Sequence, residues 1–500
     1  MIIDYEYKAQ MLLVSYISDG GWIKMKHFHW PNPSKYIVCD DGDKDKDGRF
    51  VTWDGNSVKK VYTRYPDRYS VYYYLESLPE EEKEMLFKYV EPEIFFVDIE
   101  NEILDKKPQP QLAESAVQSI SIVNKDKVLV IGVDELSIEK QRSIKEDINN
   151  YFAKFNANYD FKFIRYKNEY EMLLNFFEKF VPKMPVITGW NFTEYDWVFL
   201  VNRARKIGVD PSSASLTKLL KPASKSEGKN KKEQFCEQPA HRLVVDYMEL
   251  YDKWDSTIKV KESNSLDFVA DNILGLKKIN YEGTLKTLAA TDYKKFIFYN
   301  AVDSILVQKI HEKTKWIDIL YGISTLSRIK VLDAYKTLPV TEGILRNKLK
   351  EKNTILCKLE QNFQDTAAEI AEKSVKGGWV KDPVKGMAQW AACYDFASLY
   401  PTTMRMFNIS ADSYKGILSP TKDYSIFNGH RIELDKNDII LLNNTVFKNE
   451  TGIINQVMTN IYGDRKKYKG LMMKDHDVRE ELKNELKSLE ENLVEELEYQ

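Results

Sequence analysis

Five carboxylates occupy places where an acid is costly unless something offsets it. In "FFVDIE" Asp98 and Glu100 lie two apart on a strand entered by Ile94, Phe95, Phe96 and Val97, so both side chains leave one face of a sheet. Unpaired on a core strand they would be strongly disfavoured, and bound Mg²⁺ supplies the counter-charge. Asp196, in "TGWNFTEYDWVFLVNR" (188–203), follows a strand and turn and opens an apolar helix. In "FIFYNAVDSILV" (296–307) Tyr299 and Asp303 are four apart, on one helix face. In "YDFASLYPT" (394–402) Asp395 stands where an apolar, strand-like run gives way to a turn. Such an acid either caps the next helix or ligates a hard cation, and metal chemistry on phosphates requires a second carboxylate beside the first.

The elements that must hold these groups follow from composition and pattern. At 500 residues, 43% hydrophobic and 30% charged, the chain suits several globular domains. A net charge of −3 neither requires nor excludes a polyanionic partner, because local basic stripes decide that. Cys39, Cys236, Cys357 and Cys393 are far apart, which indicates neither a zinc site nor a disulfide framework and fits a reducing cytosol. The acidic N-terminus is unlike a signal peptide, no stretch reaches bilayer-spanning length, and a cytoplasmic, membrane-free protein is expected.

Residues 1–90 read as a β-containing domain, with "KYIVCDD", "GRFVTWD" and "SVYYYLESL" as strands. Within it "DKDKDGRFVTWD" (43–54) has calcium-loop spacing, but strand-like flanks make it a polar hairpin turn. From 91 to 325 strands ("EIFFVDIE", "VQSISIV", "KVLVIGV") alternate with amphipathic helices, an α/β layer on a central sheet. The Lys-rich "KPASKSEGKNKKEQ" (221–234) reads as a solvated loop, with contact to a nucleic-acid backbone as the alternative. A helical connection and linker occupy 326–378, the segment with Asp395 lies in 379–452, and a long charged helix fills 453–500. Its Leu482, Leu486, Leu489, Leu493 and Leu497 form an apolar stripe.

The order of the acids is informative. Acid-x-acid on a strand, then N-F-x-x-Y-D, then Y-x-x-x-D is the ordered set of the DEDDy 3′–5′ exonucleases, whose four carboxylates hold two Mg²⁺ ions about 4 Å apart while the tyrosine orients a water. With "DFASLYP" downstream, which matches D-x-x-S-L-Y-P, the chain resembles the N-terminal part of a family B DNA polymerase, most like the replicative enzymes of myovirus-type bacteriophages. The resemblance implies a multidomain α/β and α+β protein. Its parts are the N-terminal domain, an RNase H-like DEDDy exonuclease domain, an incomplete palm and partial helical fingers. It assigns Asp98, Glu100, Asp196 and Asp303 to metal binding in the nuclease, with Tyr299 catalytic, and Asp395 to metal binding in the polymerase. Ser398 and Leu399 then cradle the triphosphate, Tyr400 sits beneath the sugar as a gate against ribonucleotides, and Arg465 and Lys469, i and i+4 on a helix, grip the phosphates.

The cofactors implied are two Mg²⁺ per site, replaceable by Mn²⁺. The partners implied are primer-template and single-stranded DNA, dNTPs and a sliding clamp. There are departures from the family pattern. Val375 stands where the Y-x-G-G linker has tyrosine, and "YGD" at 462–464 is followed by Arg465 and Lys466, not Thr-Asp. No K-x-x-x-N-S-x-Y-G or D-T-D occurs, so the second palm carboxylate is expected on a C-terminal polymerase half, a second chain or missing sequence, that also covers the leucine stripe. The competing readings are a free-standing DEDDy exonuclease and a non-catalytic DNA-binding replisome subunit.

Overall fold

The computed structural model describes residues 1–499 apart from 40–49, 54, 103–107, 225–234, 256–261, 280–284, 357–379, 384, 388, 397 and 428. Most of the calcium-loop-like segment, the tip of the Lys-rich segment and Val375 lie outside the described residues, as do the side chains of Leu486, Leu489, Leu493 and Leu497. The chain divides into two compact units, residues 1–33 with 63–343 and residues 34–62 with 344–500.

The first unit begins with an antiparallel meander of β1 (Ile2–Lys8), β2 (Met11–Ile17) and β3 (Ile23–His29). The chain then contributes β4 (Ser34–Val38), β5 (Val51–Thr52) and β6 (Val58–Tyr62) to the second unit, where β4 and β6 pair antiparallel. Back in the first unit, "SVYYYLESL" is not a strand: it falls in α1 (Arg68–Glu76). Asp67 caps that helix by accepting from the Ser70 amide, and Val71, Tyr72 and Leu75 are buried together at helical spacing. Cap and periodicity override the β preference of the tyrosines. Helix α2 (Glu80–Phe87) follows.

A six-stranded mixed sheet organises the rest of this unit. It contains β7 (Ile94–Asn101), β8 (Val117–Asn124), β9 (Lys127–Gly132), β10 (Asp160–Arg165), β11 (Val186–Gly189) and, after the β12–β13 ribbon, β14 (Leu243–Asp246), in the order β10-β9-β8-β7-β11-β14. Residues 221–224 of the Lys-rich segment belong to that ribbon, β12 (Leu220–Ser224), which pairs with β13 (Phe235–Pro239) just beyond the segment, while residues 225–234 lie outside the described residues. Cross-strand pairing lets the backbone of a polar segment satisfy its own hydrogen bonds.

The sheet is buried on both faces. Val97, Ile99, Ile120 and Ile122 point to one side, with α4 (Glu169–Asn175) and α5 (Asp196–Lys206). Phe96, Val123, Val128 and Val130 point to the other, which receives α3 (Ile138–Tyr151) and, beyond α6 (Tyr247–Trp254), α7 (Leu266–Leu274) and α8 (Leu285–Thr291), the 22-residue α9 (Tyr293–Thr314). Helix α9 is buried nearly all round from Tyr299 to His311, polar residues included, and lies across β7 and β8. Helices α10 (Trp316–Ser327) and α11 (Thr337–Lys350) follow.

In the second unit β15 (Thr354–Ile355) pairs in parallel with β5. After α12 (Leu399–Met406) comes a five-stranded antiparallel sheet of β16 (Tyr414–Leu418), β17 (Tyr424–Phe427), β18 (His430–Glu433), β19 (Ile439–Ile440) and β20 (Thr445–Phe447). The chain then enters the 47-residue α13 (Ile453–Tyr499). Its first turn is anchored by Asp412, which accepts from the Ile453 amide at 3.1 Å, and by Asn408, which accepts from the Gly452 amide at 2.9 Å. Among the described residues no helix is long and apolar enough to cross a membrane.

Candidate active site

Alternation along β7 sends Val97 and Ile99 into one core and Asp98 and Glu100 to the opposite face, beneath α9. In the ladder with β8, Asp98 faces Ser121 and Glu100 faces Ser119. Two serines in place of larger side chains leave room for α9 to approach. From that helix Asp303 comes down so that one oxygen each of Asp98, Glu100 and Asp303 lies within 4.8 Å of the others. Tyr299 stands one turn before Asp303 and is buried.

Asp196 enters from the end of β11. Gly189 is needed at that strand end, because a Cβ there would meet the Val97 carbonyl at 2.3 Å. Asp246 holds the turn that follows: one of its carboxylate oxygens accepts from the Thr193 amide and hydroxyl at 3.0 and 3.1 Å, and the other caps α6 through the Met248 amide. This delivers Asp196 to the first turn of α5, where its Oδ1 accepts from the Ile99 amide, between the two acids of β7, at 3.3 Å. Asp196 thus adjoins the three-carboxylate cluster without being one of the mutually close oxygens.

The electrostatics are those of a site short of positive charge. Burial, then the neighbouring Asp303 charge, pushes Asp98 up to about 7, against the pull of Lys278 and Asn300. Burial and the charges of Asp98 and Asp303 hold Glu100 well above the usual carboxylate range, and burial and Asp98 do the same to Asp196. Asp303 is raised chiefly by burial, although Lys278 is ion-paired with it. The Lys278 ammonium also donates to the Tyr299 hydroxyl at 3.3 Å. Burial disfavours the charge on Lys278, but Asp303, Tyr299 and Asp98 outweigh it and raise its pKa. Asn300 donates to Asp98 Oδ2 at 2.8 Å and accepts from the Ser119 hydroxyl at 3.0 Å.

The donor set fits hard divalent cations: all oxygen, mutually close, and crowded enough that its members resist ionisation until a cation arrives. Among the described residues Asp303 Oδ1 is buried with no hydrogen-bond donor, as an atom kept for a cation would be.

In the second unit the structure differs from expectation. Residues 391–396 are irregular and exposed, so Asp395 does not sit on a strand. A strand needs a hydrogen-bonded neighbour, and none of the described strands pairs with this segment. The helix after it does form: Ser398, in a left-handed conformation, precedes α12, and Leu399 and Tyr400 lie exposed in its first turn. Arg465 and Lys469 are exposed on one face of α13. None of these residues is among the described carboxylate cluster.

Sequence reasoning missed Lys278, Asn300 and Ser119. The serines were visible as alternate residues in "VQSISIV", a polar stripe on a strand otherwise fit for a core. Lys278 left no signal beyond a doublet of lysines, since its reach to α9 depends on the folded path of the chain.

Residues 65–269 match the exonuclease domain of DNA polymerase family B, and residues 330–487 match DNA polymerase family B. Asp98, Glu100 and Asp196 lie in the first match, Asp395, Arg465 and Lys469 in the second, and Tyr299 and Asp303 between them. The chain is 24% identical over 396 residues to the DNA-directed DNA polymerase of Escherichia phage RB69, covering 75% of this chain and 42% of that protein. To the DNA-directed DNA polymerase of Enterobacteria phage T4 it is 23% identical over 331 residues, 62% of this chain and 35% of that one. DNA polymerase 1 of Sulfurisphaera ohwakuensis is 27% identical over 350 residues, with 66% and 36% covered. The chain spans less than half the length of these curated relatives.

Proposed function

We infer that this chain, which belongs to DNA polymerase family B, removes nucleotides from DNA 3′ ends at the cluster of Asp98, Glu100 and Asp303, with Asp196 as the fourth ligand of an RNase H-like DEDDy nuclease in residues 91–325. The observation that carries this reading is the convergence of three carboxylates from β7 and α9 within 4.8 Å, with Asp196 bonded to the backbone between two of them. Divalent ions, Mg²⁺ in this reading with Mn²⁺ as substitute, supply when bound the charge that activates a water and stabilises the leaving 3′-oxygen. The four carboxylates, of which Glu100, Asp196 and Asp303 are buried, would hold that charge. The Tyr299 hydroxyl, beside the cluster, orients the attacking water, and Lys278 is paired with Asp303 next to it.

DNA synthesis from dNTPs on a primer-template is the proposed activity of the polymerase portion. Asp395 contributes one metal ligand, Ser398 and Leu399 the phosphate cradle, Tyr400 the sugar gate, and Arg465 and Lys469 the phosphate grip. The match over residues 330–487 supports this over a free-standing nuclease, which has no use for such a segment. The four nuclease carboxylates, all present, support a working enzyme over a non-catalytic scaffold.

The test is degradation of 3′-labelled single-stranded DNA in Mg²⁺. The chain is expected to shorten it from the 3′ end, and Asp98→Ala to abolish the activity. Degradation persisting in that variant would overturn the assignment.

A further inference from the structure

We propose that Asn300 is a positioning residue for Asp98, oriented in turn by Ser119, and that this pair determines how tightly the carboxylate cluster holds its cations. The inference rests on the nuclease reading and extends it to two residues outside the four carboxylates and the tyrosine.

Asn300 is fully buried in the middle of α9, one residue past Tyr299 and three before Asp303. An apolar side chain there would pack with Ile297 and Ala301 at no polar cost. An amide is tolerated only if its bonds are made. Both are: Nδ2 donates to Asp98 Oδ2 at 2.8 Å, and Oδ1 accepts from Ser119 Oγ at 3.0 Å. Their directions are fixed by chemistry. With a cation bound Asp98 is ionised and only accepts, so the amide turns its NH₂ toward Asp98, which leaves the carbonyl for the serine hydroxyl. Ser119 is itself the cross-strand neighbour of Glu100, so the chain of bonds runs from one acid of β7 to the residue paired with the other.

A free aspartate rotates easily about its last torsion, which is broad and two-fold. One bond to Oδ2 removes that freedom and leaves the other oxygen, and the second lone pair of Oδ2, for a cation. Groups that orient metal-binding carboxylates in this way typically change affinity by about 10- to 100-fold when removed. Ser304 makes a useful contrast. It lies on the same face one turn on and bonds Ser121 rather than a carboxylate, so it shares the packing of Asn300 without touching a ligand.

The experiment titrates the full chain with Mn²⁺ alone, without DNA, by calorimetry, alongside far-UV circular dichroism in EDTA. Asn300→Leu, of similar volume, is expected to weaken Mn²⁺ binding about 10- to 100-fold. Ser119→Ala is expected to weaken it severalfold, and Ser304→Ala to leave it unchanged. Asn300→Leu binding within twofold of wild type, or Ser304→Ala weakening as much as Asn300→Leu, would overturn the proposal. Where circular dichroism shows Asn300→Leu unfolded, Ser119→Ala decides, and unaltered affinity there overturns the proposal. Asp98→Ala is the separate control: wild-type Mn²⁺ binding in it refutes the nuclease reading itself, whereas its loss with Asn300→Leu unchanged refutes only the role of Asn300.

Discussion

Replacing Lys278 by methionine removes the cation that, among the described residues, bonds to the carboxylate cluster, while keeping most of the side-chain volume. The Lys278 side chain is 26% exposed and its partner Asp303 only 6%, so this is a buried pair, and leaving one member of such a pair uncompensated costs about 3–5 kcal/mol. A divalent cation can replace the lost charge. At a concentration 100 times its dissociation constant, a ligand that binds only the folded state adds about 2.7 kcal/mol. The variant is therefore expected to lose about 3–5 kcal/mol in EDTA, and the gap to wild type is expected to narrow by about 2 kcal/mol in saturating Mg²⁺. Urea unfolding of both proteins with and without Mg²⁺ measures this. An equal loss in the two buffers, or no loss in EDTA, would show that Lys278 does not stand in for the metal.

Tyr299→Phe keeps the buried ring and deletes the hydroxyl, so kcat on single-stranded DNA is expected to fall about 100-fold while DNA affinity, measured in EDTA, stays the same; a wild-type kcat would remove Tyr299 from the mechanism. His311, buried with Nδ1 at 3.1 Å from the Tyr247 hydroxyl, is held neutral by burial, its pKa lowered from 6.5 to about 3. Between those values the unfolded chain binds the proton and the folded chain does not, so stability is fully present above pH 6.5 and lost as pH falls, by about 1.4 kcal/mol per unit. His311→Gln is expected to flatten the pH dependence of the thermal midpoint between pH 6.5 and 4 by that amount, and superimposable wild-type and variant profiles would contradict it.

What the sequence disclosed were the relations that depend on local periodicity. Asp98 and Glu100 share a face because a strand alternates, and Tyr299 and Asp303 share one because a helix returns every fourth residue. Asp196 was legible as the residue between a turn and an apolar helix. The failures came where a distant part of the chain decides. The tyrosines of α1 favour a strand until Asp67 caps the segment and the core takes Val71, Tyr72 and Leu75. The segment of Asp395 has strand composition and no described strand to pair with. Asn300 and Lys278 looked like ordinary members of a helix and a lysine doublet, because their significance lies in which carboxylates they meet.

The pairing of β7 with β8 acts as a ruler for the chemistry. Asp98 opposite Ser121 and Glu100 opposite Ser119 is a register, and a register shifts in whole residues. Inserting a single alanine between Phe96 and Val97 in β7 would add no charge and remove no ligand, yet it would turn both acids into the apolar core and bring Val97 and Ile99 out beneath α9. The site therefore tolerates exchange of side chains around it more readily than any change in the spacing of this strand. Two homologous chains with little residue identity can keep the same metal geometry as long as neither gains nor loses one position between the start of β7 and Glu100.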